Sequence, residues 1–175
     1  MDTAVLRRGL EQTADVLAGV EGDPPTTPTP CEGWTLQDLV DHVVAAPWRF
    51  AVMVRGEALD WSAPTPPAGG DPVAAFCAHA TELLTAWAEH GDTVTGPGVD
   101  WQCAELAVHT WDLARTTGLP TAHLDPEVAE RGLAFMRANL TADIRGPAFG
   151  PEQPAPDDAD PYVRIAAFAG RAVGM

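Results

Sequence analysis

His42, Glu105 and His109 are the residues of this chain whose types and spacing could do chemistry. Glu105 and His109 stand four apart in Glu105-Leu106-Ala107-Val108-His109. On a helix they point the same way, one turn above the other. A third ligand from another helix, His42, would complete a His₂Glu set, which leaves a divalent metal one position for water or substrate. Glu-x-x-x-His is also a common exposed helical pair, and a single histidine such as His42 is often a hydrogen-bonded core residue. The set therefore matters only if the elements that carry it meet.

Five helical patterns can be read. The first covers roughly 2–20, with Leu6, Leu10, Val16 and Leu17 as core positions, and ends at Gly19, Gly22 and Pro24-Pro25. A loop, Thr26 to Trp34, leads to the second, where Thr35 with Asp38 is close to a capping box. It carries Leu36, Leu39, Val40, Val43 and Val44, and Pro47 inside it predicts a kink about one turn past His42. Ser62 to Gly70 is a Pro/Gly-rich linker. The third covers roughly 71–90, with Pro72 near its start and Gly91 after its end. Gly96-Pro97-Gly98 forms a turn before the fourth, roughly 100–117, which Gly118 and Pro120 close. The fifth starts at Asp125-Pro126-Glu127 and runs to about Leu140. The Pro/Asp-rich tail from Gly146 to Pro161 reads as irregular, and a short helix from Tyr162 to Ala172 could dock at the end. There is no internal repeat and no convincing strand run. The expectation is an all-α, four-helix up-and-down bundle with an accessory helix, one domain over residues 1–175.

At about 100° per residue, the face of the fourth helix with Glu105 and His109 also carries Trp101, Val108, Asp112 and Thr116. The face of the second helix with His42 carries Asp38, Ala45, Ala46 and Arg49, and the small alanines leave room for a bound molecule. Unpaired His and Glu inside an apolar bundle would be costly, and a metal would satisfy them. Asp112 could orient a histidine from behind or pair with Arg115, of which the pair is preferred. Arg49 could receive a substrate carboxylate or sit in solvent. Cys31 and Cys103 could be nucleophiles, but small buried side chains are the preferred reading. Trp34, Trp48, Trp87, Trp101 and Trp111 read as core or pocket wall. His79, His90 and His123 have no partner at useful spacing and read as surface or helix-end residues.

The net charge of −15 gives no basic stripe for nucleic acid and opposes anionic membrane surfaces. The acidity also simply favours solubility. No run of about 18 apolar residues could span a membrane, and the N-terminal residues lack a signal-peptide core. Three cysteines without a CxxC spacing suit a reduced, cytoplasmic protein. All ten basic residues are arginine, and isoleucine and asparagine are scarce, a bias expected of a GC-rich genome.

Thr29-Pro30-Cys31-Glu32-Gly33-Trp34-Thr35, followed by Asp38-Leu39-Val40-Asp41-His42, resembles the signature of the mycothiol-dependent maleylpyruvate isomerase N-terminal-like family, within the DinB-like metalloproteins. Glu105 to Ala114 resembles its second metal segment. Phe149-Gly150-Pro151 and Arg164 to Arg171 resemble the closing segment of its short actinobacterial members. The resemblance implies a DinB-like four-helix bundle, with metal held by His42, Glu105 and His109. It also implies mycothiol, a low-molecular-weight thiol, as cosubstrate, and an electrophilic small molecule as its target. The lysine-free composition fits such a host. Maleylpyruvate isomerase has a second domain that contributes to its active site; that domain is not expected here, nor is isomerisation of maleylpyruvate itself. The stretch Gly91 to Asp100 also reads as short for the family, so the pocket rim is expected to differ.

Zn²⁺ suits a His₂Glu set, and Ni²⁺ and Fe²⁺ also accept imidazole and carboxylate. The favoured expectation is a thiol-dependent transferase or isomerase, with Arg49 at the substrate and Asp112 behind a ligand. The rivals are a metal-binding bundle without turnover, a bundle that has lost its metal and binds a partner, and an enzyme using metal-activated water. Either a monomer or a homodimer is compatible with the sequence.

Overall fold

The computed structural model describes residues 3–60, 62–94, 98–145 and 149–174. Its helices are α1 (Ala4–Ala18), α2 (Leu36–Val54), α3 (Pro72–His90), α4 (Val99–Thr117), α5 (Pro126–Asn139) and α6 (Pro161–Phe168). A short 3₁₀ turn, Gly91–Thr93, follows α3. Among the described residues there is no strand, only an isolated bridge between Pro28 and Thr35. The expected turn residues Gly96 and Pro97, and Gly146 at the head of the tail, lie outside the described residues.

Local signals set most of these boundaries. Thr35 caps α2 by accepting from the Asp38 backbone, while the Asp38 carboxylate accepts from the Thr35 N–H at 2.9 Å. Asp71, Asp125 and Asp160 each cap a helix whose first residue is proline. Gly118, with φ of 75°, ends α4. The last helix is shorter than the sequence suggests. It stops before Gly170, whose φ of +92° is left-handed and whose Cα faces the Gly150 backbone too closely for a Cβ.

Apolar stripes then dictate the packing. Leu6, Leu10, Val16 and Leu17 of α1 and Leu36, Leu39, Val40, Val43 and Val44 of α2 are all buried. α2 packs on α3, α4 on α5, and α1 on both α3 and α4, while α6 lies across α4 and α5. α2 also meets α4, and this contact brings His42 to Glu105. α2 continues through Pro47, which is buried, so the proline does not terminate it. His79 corrects a surface expectation: it is half-buried, with Nδ1 2.7 Å from the Val44 carbonyl, and ties α3 to α2. No helix among the described residues is long and apolar enough to cross a membrane.

Candidate metal centre

Where α2 crosses α4, His42 Nε2 lies 2.6 Å from Glu105 Oε1, and His109 Nε2 lies 3.5 Å from the same oxygen. The two imidazoles meet edge-on, with centroids 4.7 Å apart. One donor atom from each of the three residues lies within 4.8 Å of the others. These side chains are partly, not fully, buried, so one side of the cluster is open to entering molecules.

His109 is held from behind. Its Nδ1 sits 3.0 Å from Asp112 Oδ2, leaving Nε2 to face Glu105 and His42. A carboxylate on the far nitrogen of a histidine is the usual device that fixes a metal ligand's tautomer and ring angle. Asp112 is fully buried and does not pair with Arg115, which is exposed. Its partner is Arg171, which follows α6: Nε donates to Oδ1 at 3.2 Å and Nη2 to Oδ2 at 3.0 Å. The preference for an Asp112–Arg115 pair is thus corrected. The i+3 neighbour lies on the solvent side, while the apolar C-terminal segment delivers a buried cation.

The Cys31–Trp34 segment closes the site from the loop before α2. Trp34 N–H donates to the Cys31 carbonyl at 3.0 Å, and Gly33 takes φ of +77°, which a type II turn requires at that position. The turn sends Cys31 Sγ to 3.1 Å from Asp112 Oδ2 and 3.4 Å from Arg171 Nη2. It also lays the Trp34 ring near-parallel to His109, 14° off at 6.1 Å, and tilted against His42 at 4.9 Å.

Charge follows from this geometry. Burial pushes the Glu105 carboxyl up, but His109 and His42 outweigh it and hold it down at about 2. Burial pushes the His109 imidazole down, yet Glu105, Asp112 and Cys31 bring it up to about 10. Asp112 is disfavoured by burial but kept ionised by His109 and Arg171. The centre is therefore built around positive charge between carboxylates, the environment a divalent cation needs. Cys31, His109 and Asp112 form a second compact trio, but the Arg171 guanidinium already occupies the cation's place there. The His42, Glu105 and His109 donors are the set that fits a metal.

A cavity of about 180 Å³ runs from Glu105 and His109 between α4 and α5, walled by Trp101, Val108, Phe135 and Met136. Arg49 does not line it. Arg49 is buried and points its Nη2 to Thr65 Oγ1 at 3.2 Å and to the Ala63 carbonyl. Ala45 likewise lines a different cleft, with Trp48 and His79. Cys103 is an apolar core residue, and burial raises its thiol to about 12.

The fold is a helical bundle in which α2 and α4 bring three candidate metal ligands, His42, Glu105 and His109, together. Residues 6–114 match the mycothiol maleylpyruvate isomerase N-terminal domain, and the chain belongs to that family. It is 34% identical over 180 residues to the uncharacterized proteins MT0763 and Rv0738 of two Mycobacterium tuberculosis strains, covering 95% of this chain and 96% of each relative. No solved structure matches it. Arg171 lies beyond the family match, and sequence reasoning gave it no role. A signal was present: a lone arginine closing the apolar run Ile165 to Gly170 calls for a buried anion.

Proposed function

We propose that this protein is a metal-dependent transferase or isomerase that uses mycothiol or a similar thiol against an electrophilic small molecule. The observation that carries this reading is the pinning of His109 Nδ1 by the buried Asp112–Arg171 pair, which aims Nε2 at Glu105 and His42. An exposed ion pair has no need of such a support. Zn²⁺ suits the donor set, with Ni²⁺ and Fe²⁺ as alternatives. A bound divalent cation supplies the charge that favours the thiolate form of an entering thiol.

The chain's own residues do the rest. His42, Glu105 and His109 leave the side facing the cavity free for the thiol and its target. Trp34 covers the histidines and restricts water. The reaction forms a bond from sulfur to the electrophilic carbon as the alkene π bond, the epoxide C–O bond or the bond to the leaving group breaks. The thiol proton passes to solvent, to the departing or ring-opened group or to the adjoining carbon. In an isomerisation the carbon–sulfur bond then breaks again to return the thiol. No oxidant or reductant is required. The family's thiol partner and a cytoplasmic setting belong to the same reading.

Metal content by mass spectrometry on tag-free protein, beside a His109→Ala variant, is the first test. About one equivalent of metal, lost in the variant, is expected of a site whose binding needs all three ligands. Mycothiol and a panel of alkenes, epoxides and activated leaving groups should then give a metal-dependent adduct. Absence of metal in both proteins after reconstitution refutes the reading.

A further inference from the structure

The cavity beside Glu105 and His109 carries an inference about the substrate, which rests on the proposed function for its reaction but not for its binding. We propose that this cavity takes the body of the electrophile, and that this body is uncharged, apolar and about the size of one ring. Its volume of about 180 Å³, open on one side, is close in size to the roughly 150 Å³ of an enclosed apolar cavity that accepts benzene. Trp101, Val108, Phe135, Met136 and Leu140 supply its walls. Among the described lining residues, Asn139 carries the one side-chain amide, and its Nδ2 is turned to the Phe135 carbonyl at 2.8 Å.

Charge decides against an anionic body. Every basic residue of the chain other than histidine is an arginine, and no arginine lines the cavity. Arg171 is committed to Asp112, and Arg49 to Thr65 and Ala63. A carboxylate placed against these walls would give up part of its water and gain no arginine in return. Only a group at the metal centre itself would find positive charge. A dicarboxylate-sized anion therefore fails on the second charge, while a ring or short branched chain buries its surface against the aromatic walls.

Toluene is the probe, titrated into the full-length protein and followed by NMR at the Trp101 indole. Saturable shifts are expected at Trp101, with no displacement of toluene by succinate. Ala104→Leu, which fills the cavity, should weaken toluene about 10-fold or more. Met136→Ala, which enlarges it, should admit naphthalene about 10-fold more tightly than the natural chain does. Circular dichroism confirms that each variant folds. Absence of saturable binding, displacement by succinate, or indifference to both variants overturns the proposal. Because toluene binding needs neither metal nor thiol, its failure is read separately from the metal and adduct measurements.

Discussion

Replacing Arg171 by methionine tests whether the C-terminal segment builds the centre. Methionine keeps much of the side-chain volume and removes the guanidinium that donates to both oxygens of Asp112. Asp112 is fully buried and Arg171 nearly so, at 7% exposure, which places the pair in the buried class. Removing one partner of such a pair costs about 3–5 kcal/mol, because an uncompensated charge stays inside. His109 and the Cys31 thiol still reach Asp112 Oδ2, so the lower end, about 3 kcal/mol, is expected. For a domain of this size that is a Tm fall of about 6–12 °C. Urea unfolding of metal-free Arg171→Met, Asp112→Asn and the double variant gives the coupling directly. The double variant should recover most of the loss, since neither charge is then stranded. A loss under about 1 kcal/mol, as for an exposed pair, or a double variant no better than the single one, refutes the reasoning.

Four further outcomes follow from the same geometry. Asp112→Asn should lower metal affinity about 10–100-fold, the usual cost of losing the carboxylate behind a ligating histidine; competition with a chromophoric chelator measures it. In chelator-treated protein, the His109 contribution to stability is complete below its unfolded value of about 6.5 and is lost as pH rises toward about 10. The Glu105 contribution is complete above about 4.3 and is lost as pH falls toward about 2, so urea midpoints should peak between these limits; midpoints still rising from pH 7 to 9 would contradict the assignment. Thr35→Ala removes the capping-box hydroxyl of α2 and should cost about 1 kcal/mol in urea unfolding. Gly170→Ala should cost more than that cap, because its Cβ would lie 2.6 Å from Gly150 N at a left-handed φ; equal thermal midpoints for the two variants would contradict the close crossing.

Much of the architecture was legible because it is written locally. The capping box at Thr35, the Asp-Pro starts and the apolar stripes of α1 and α2 each depend on residues within a few positions. Glu105 and His109 were legible for the same reason, since helical spacing alone sets them on one face. His42 joined them through the resemblance and through the contact of α2 with α4. The Asp112–Arg171 pair was not legible, because it joins residues 59 apart through the crossing of Gly150 and Gly170. Sequence proximity favoured Arg115, and burial decided against it. The surroundings of Arg49 were not legible either: helical spacing puts it on the His42 face, but the linker loop reaches back and meets its guanidinium.

The centre is best understood as a chain of alternating basic and acidic groups that runs from α2 inward to the segment after α6. His42 meets Glu105, Glu105 meets His109, His109 meets Asp112, and Asp112 meets Arg171. Each carboxylate, Asp112 buried and Glu105 partly so, lies between two groups able to carry positive charge, which offsets the penalty of burying it. Arg171 closes the inner end permanently, because a guanidinium does not titrate in this range. That fixed cation keeps Asp112 ionised, and an ionised Asp112 keeps the His109 proton on Nδ1. The outer position, between Glu105 and the two Nε2 atoms, is the one place along the chain where a proton and a divalent cation compete for the same donors. Metal binding there must release protons, so its affinity should rise with pH through the range in which metal-free His109 loses its own proton.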